Sequence, residues 1–320
     1  MSPTDKDDRG RKASSPTQMP LSAWRDIAIR TWRESSTDNV GLIAAGVAFY
    51  AFLAFVPALG AFVLSYGLLA DPATIADHLQ ALFRLMPQDA AKLVGDQLLS
   101  VTSTAEGKKG LGLALALVLA IYGAMNGASA IITALNIAYE EEESRSFFRT
   151  SWLALLITLG LLLAAIVGAF AIAALAFLEK LMPGASDAII TLIRVGFWVA
   201  AALATSMVVG AIYRFAPDRR PAQWRWLTAG SLFTTLGWLA ASVGFSFYVA
   251  NFGNYGATYG ALSAVVVMLM WLYLSAYILI LGAELNSEIE HQTMLDSTVG
   301  APKPMGQRDA YVADTVGEVP

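Results

Sequence analysis

Tyr122, Asn126, Ser129, Thr133, Asn136 and Glu140 recur at intervals of 4, 3, 4, 3 and 4. On an α-helix that spacing sets all of them in one line along one face. The groups are hydroxyls, amides and a single carboxylate, suited to solvating a polar head or an ion. Three further lines share this logic: Thr191, Arg194, Trp198 and Thr205; Thr228, Ser231, Thr235 and Ser242; and Tyr273, Tyr277 and Glu284. An enzyme is harder to assemble. There are only two histidines, His78 and His291, and no cysteine. No zinc-protease, nucleophile-elbow, phosphate-loop or dinucleotide pattern occurs. The expectation is therefore no catalytic residue, no metal site and no cofactor. A net charge of −4 argues against a nucleic-acid partner, because phosphate binding calls for a basic excess.

The elements that must carry these lines are membrane spans. From Trp226 to Ala283 there is no Asp, Glu, Lys or Arg. One helix of that length, rising about 1.5 Å per residue, would far exceed a hydrocarbon core of about 30 Å. Two spans joined at the turn Asn251–Gly260 fit instead. The whole chain is 56% hydrophobic and 14% charged, too little charge to coat a water-exposed surface, for which about 25% is usual. The expected fold is an all-α, polytopic membrane protein. Its six transmembrane helices fall at about 40–70, 110–139, 150–178, 188–213, 226–250 and 260–283. Pro57 lies inside the first, where it removes a backbone bond, and Gly253, Gly256 and Gly260 lie in the last turn. These four are candidate hinge or gate positions. Gly123 and Gly127 have the small-xxx-small spacing that lets helices approach closely.

Between the first two spans, Asp71-Pro72 opens an amphipathic segment. Ile75, Leu79, Leu82, Phe83 and Met86 form one apolar stripe, and Leu93, Val94, Leu98 and Val101 another. It is too polar to span and is expected to cap the outer face. Residues 21–39 read as an interfacial helix, with Leu21, Trp24, Ile27, Ala28 and Trp32 on one side and Arg25, Arg30 and Arg33 on the other. Residues 1–20 and 293–320 read as disordered tails. Fifteen of the 21 Lys and Arg lie on the side of both termini and five on the other, with Arg194 inside a span. The positive-inside rule then puts both termini in the cytoplasm.

Polar side chains cost free energy against lipid, so the lines are expected to face the bundle interior. They could be glue between helices, worth about 0.6 kcal/mol per bond. Alternatively they line a path for a polar headgroup or ion. Arg194 could instead snorkel to the outer interface. Glu284 is expected to pair with an arginine of residues 214–225 and latch the last hairpin. Glu140 to Glu143 reads as a solvated helix end.

Several motifs also resemble a known family. They are Tyr213-Arg-Phe-Ala-Pro-Asp-Arg-Arg220, Gly230, Tyr248, Tyr259-Gly260, Met270-Trp-Leu-Tyr-Leu-Ser275 and Leu281-Gly-Ala-Glu-Leu-Asn286. Earlier in the chain stand Ala48-Phe-Tyr50 through Pro57, and Ala134-Leu-Asn136 through Arg145 and Phe148. Over roughly residues 25–290 the chain is similar to the YihY/BrkB family, with Ala54 where that family often has serine. The resemblance implies a six-helix bacterial inner-membrane protein, matching the count reached from hydropathy. It also implies caution over the old family label ribonuclease BN, because these residues supply no nuclease site. Its other name, virulence factor BrkB, denotes a serum-resistance phenotype and no mechanism. The leading expectation is a transporter-like protein moving a lipid or other amphiphile along the polar lines, with the bilayer as its medium. The alternative is an envelope scaffold that transports nothing.

Overall fold

The computed structural model describes residues 9–69, 106–182, 184, 186–252 and 262–320. The expected amphipathic cap between the first two spans, and the turn with Gly253, Gly256 and Gly260, lie outside the described residues. The described elements are helical: a 3-10 turn at Pro16–Gln18, then α1 (Leu21–Thr37), α2 (Val40–Leu69), α3 (Glu106–Ala138), α4 (Phe147–Leu181), α5 (Asp187–Phe215), α6 (Trp224–Phe252), α7 (Ser263–His291) and the short α8 (Tyr311–Asp314). Five helices, α3 to α7, are long and apolar enough to cross a membrane, and the bent pair α1–α2 brings the number to six if it counts as one span. The chain is thus an all-α polytopic membrane protein. Pro57 lies inside α2.

Neighbours follow a ring. α2 packs along α3 and against α7; α7 packs on α6 and α6 on α5; α3 touches α4, and α4 meets α5 only lightly. The α2–α3 contact is close because Gly123 has no side chain: a Cβ there would lie 2.8 Å from the Ala54 backbone. Gly127 sits opposite Ala51 in the same seam. The α6–α7 crossing depends on Gly230 and Gly282 in the same way. A Cβ on Gly230 would strike the Gly282 carbonyl, and one on Gly282 would strike Thr234.

The core gathers at the end of the bundle where both termini converge. Tyr139, Tyr213, Leu227, Ile280 and Val312 belong to one buried cluster there, and Ile27, Trp226 and Ile289 to a second. Farther along the helices packing thins: α4 has 6% of its spanning window buried and α3 has 22%.

Two expectations change here. Residues 9–20 and 293–320 are folded onto the end of α7 and are not loose tails. Gln292 Nε2 donates to the Arg9 carbonyl (2.7 Å), Met294 N to that of Arg11 (2.8 Å), and Thr293 Oγ1 to that of Ala13 (2.7 Å). Arg308 donates to the Met294 and Ala313 carbonyls, and Asp314 accepts from the amides of Gly306 and Arg308. Order in these segments comes from satisfied backbone groups and a few buried small side chains, which mean hydropathy does not register. On α1 the inward face is Ala23, Asp26, Ile27, Arg30, Thr31 and Ser35. Arg30 is turned inward to meet Glu288 and Gln292 of α7. Leu21 and Trp32 remain exposed, as a helix resting on a bilayer needs.

Candidate functional site

Among the described residues, the upper part of the α3 line is open or half-buried and not enclosed between helices. Gly123 and Gly127 turn toward α2, which leaves Tyr122, Asn126, Ser129 and Thr133 on a flank about 100° around the helix. Tyr122 is 65% exposed, Thr133 is exposed, and Asn126 and Ser129 are half-buried. Their hydrogen bonds stay local. Asn126 Nδ2 donates to the Tyr122 carbonyl (3.0 Å) and Thr133 Oγ1 to that of Ser129 (3.1 Å). Expected to be covered by the bundle, the upper line is accessible.

Asn136 continues the line and behaves differently. It is buried, donates to Glu143 Oε2 (2.9 Å) and accepts from the Asp218 amide (2.8 Å). Arg145 binds the same Glu143, the Ala216 carbonyl (2.9 Å) and Asp218. Asn136 therefore ties α3 to the loops after α3 and α5. It belongs to the frame of the bundle.

The other lines divide similarly. On α5, Arg194 and Thr205 are exposed, and Thr205 bonds back to the Ala201 carbonyl (2.9 Å). The adjacent Ser206 is buried and donates to Ser231 of α6 (3.1 Å). On α6, Thr235 is buried and bonds within its own helix to Ser231 (2.8 Å). Ser242 lines a recess with Trp238, Ala241, Trp271, Leu274 and Ser275, where Trp238 Nε1 donates to Ser275 Oγ (3.0 Å). On α7, the Tyr273 and Tyr277 rings lie 6.1 Å apart and half-buried against the core, with the Tyr273 hydroxyl reaching the α2 backbone at Gly41. Tyr122, Asn126, Ser129 and Thr133 stay together on α3. The sequence lines as a whole do not converge on one interior channel among the described residues.

Hydropathy and spacing did not find the densest polar cluster. Tyr213 donates to the Leu279 carbonyl (2.6 Å) and shares a hydrogen bond with Thr234 (2.6 Å), joining α5, α6 and α7. One turn on, Asn286 Oδ1 accepts from the Gly230 amide (2.7 Å) while its Nδ2 donates to the Leu227 carbonyl (3.2 Å), so an α7 side chain enters the backbone of α6. Arg219 is buried against Glu290 (2.7 Å), its guanidinium 4.9 Å from the Tyr139 ring centre, and Ser297 donates to the same carboxylate (2.7 Å). The available signal was three glutamates, Glu284, Glu288 and Glu290, within about two turns of α7, of which only Glu284 was expected to find a partner. The expected Glu284 latch is corrected: Glu290 takes the arginine of the 214–225 loop, and Glu284 is buried beside Asp38.

Comparison with known proteins converges on one family. Residues 31–306 match the family described as Virulence factor BrkB. The ribonuclease-like protein YfkH of Bacillus subtilis (strain 168) is 31% identical over 251 residues, covering 77% of this chain and 86% of that one. A UPF0761 membrane protein of Alteromonas mediterranea is 26% identical over 259 residues, covering 79% of this chain and 83% of its own. One from Idiomarina loihiensis is 25% identical, with 80% and 87% covered. No solved structure matches.

Proposed function

The chain belongs to the Virulence factor BrkB family, and from that premise we propose a multi-pass inner-membrane protein of transporter type that moves a lipid or other amphiphile. The path is the accessible line Tyr122, Asn126, Ser129 and Thr133, with Arg194 and Thr205 as further polar contacts for a headgroup. The observation that carries this reading is where the line sends its hydrogen bonds. Glue between helices would bond across a contact, as Ser206–Ser231 and Tyr213–Thr234 do. Among the described residues, Asn126, Thr133 and Thr205 bond only to carbonyls of their own helices, which leaves them adapted to apolar surroundings and able to meet a passing polar group. An amphiphile fits such a line, because its tails can stay in the bilayer while its head follows the polar groups.

In the same reading α2 is the sixth span and α1 rests on the cytoplasmic surface. The bias of Lys and Arg supports cytoplasmic termini in this reading. Pro57, inside α2, is the candidate hinge of this reading. Reconstitution tests the proposal. Vesicles carrying the full chain should speed transfer of a headgroup-labelled phospholipid between leaflets, and Asn126→Leu with Thr133→Val should slow it about 10-fold or more at unchanged melting temperature. An unaltered rate in that variant, or none above protein-free vesicles, would favour the scaffold reading.

A further inference from the structure

Two neighbouring carboxylates at the end of α1 meet a third from the end of α3 beside the packed end of the bundle. Glu34 lies in the last turn of α1, Asp38 at the bend into α2, and Glu140 just past α3. One carboxylate oxygen of each lies within 4.8 Å of the others. The backbone brings them there. Asp38 caps α1, Asn39 follows at φ 55, and α2 leaves at 63° to α1. Glu140 has φ 56 itself, a left-handed conformation that ends α3 and carries its side chain back toward the bend. The C-termini of α1 and α3 therefore add their negative dipole ends to three acidic groups, the opposite of what favours a helix end.

An independent observation comes from α7. Glu284 is only 2% exposed, and its Oε1 has no hydrogen-bond partner among the described residues. Its carboxyl lies within hydrogen-bonding reach of Asp38, whose own Oδ2 is buried without a partner. Two carboxylates at that range need a proton or a cation between them. The cations on neighbouring elements are committed elsewhere or stand at the surface. Arg30 is held by Glu288 and Gln292, His291 lies against Glu288 and Thr315, and Arg33 is exposed.

We propose that Glu34, Asp38, Glu140 and Glu284 bind one hard divalent cation of the magnesium, manganese or calcium class. The donors are all carboxylate oxygens without histidine or thiolate, which suits these ions over zinc or copper. One oxygen each from Glu34, Asp38 and Glu140, within 4.8 Å of one another, matches ligands around an ion bonded at about 2.3–2.6 Å; Glu284 adjoins this trio through Asp38 and would join it by a small side-chain movement, and smaller ions need a modest closing of the cluster. Such an ion would join α1, the α1–α2 bend, the end of α3 and α7 at one point. It would cancel the charge that burial of Glu284 leaves uncompensated. The inference stands apart from the transport reading, since it concerns what holds the bundle at its packed end.

Titration of manganese into the full chain in lipid nanodiscs, stripped of metal with a chelator that is then removed, and read as loss of the free-ion paramagnetic resonance signal relative to empty nanodiscs, tests this directly. One ion should bind per chain, compete with magnesium or calcium, and raise the melting temperature by mass action. Glu140→Gln should weaken binding about 10–100-fold without lowering the melting temperature in chelator, because it lies at the surface. Glu284→Gln should weaken binding as well. Three results would overturn the proposal: no bound manganese, a Glu140→Gln variant that binds as the parent does, or a thermal shift reproduced by potassium chloride at equal ionic strength. Stabilisation by acidification with no response to divalent ions would assign the bridge to protons and overturn it too.

Discussion

Polar side chains at the packed end of the bundle and those along the middle of α3 are of similar types and are used in opposite ways. At the packed end they cross between elements: Arg219 to Glu290, Arg30 to Glu288, Asn286 into the backbone of α6, Asn136 between two loops. In the middle, Asn126, Thr133 and Thr205 turn back onto their own helices. The difference teaches where this fold is held. A clamp of buried ion pairs and glycine crossings fixes the helices at one end. Beyond it the helices share few buried residues, which leaves polar groups free for something other than cohesion.

The largest test of that comparison is Arg219→Ala. It would leave the Glu290 carboxylate buried with only Ser297 as a donor among its described partners, and it would remove the cation over Tyr139. Breaking one side of a buried pair costs about 3–5 kcal/mol. Unfolding of the variant in detergent should show a loss of that size, and a loss below about 1 kcal/mol, the scale of a surface pair, would mean the clamp is not where the stability lies.

Glycines draw the same line with one methyl group. Gly282→Ala drives a Cβ into Thr234 and toward Tyr213, and overpacking of this kind costs about 1–3 kcal/mol. Gly160→Ala on α4 and Gly196→Ala on α5 meet nothing within 4 Å and should gain up to about 1 kcal/mol from helix propensity. Equal effects of Gly282→Ala and Gly160→Ala in a thermal-shift assay would erase the distinction between the two regions.

Much of the fold was legible because a bilayer imposes a strong rule: long uncharged runs must be helices that satisfy their own backbone. Charge-free stretches and flanking Arg and Lys therefore marked the helices to within a few residues, except that α7 runs on to His291, past the span's expected end at 283. The clamp was legible only as a latch placed on the wrong acid, Glu284 in place of Glu290, because nothing in the sequence tells which charge past an apolar run is buried and which is solvated. Whether Glu288 meets water or Arg30 depends on how α1 folds back, and that is set by packing between residues some 258 positions apart. Periodicity showed that Tyr122 to Asn136 share a face and could not show what covers it. The family-like motifs came nearest, since they contain Tyr213, Gly230, Gly282 and Asn286, the residues that make the α5–α6–α7 junction.

The smallest expected effect separates two asparagines that the sequence treats as equals. Asn136→Leu removes the acceptor of the Asp218 amide and the donor to Glu143, stranding groups in a half-buried network. Removing one partner of such bonds costs about 1–3 kcal/mol. Asn126→Leu removes only a bond to a carbonyl four residues earlier, a carbonyl that already lies in a helical ladder. Within a bilayer the leucine is also the better-solvated side chain, so its effect on stability should fall within about 0.5 kcal/mol of zero. The two positions lie on one helix line, and that makes them a matched pair for chemical denaturation measured under identical conditions. If Asn126→Leu proves as costly as Asn136→Leu, the upper line is holding something in place. The path along α3 would then have to be reread as a contact with a second copy of the chain.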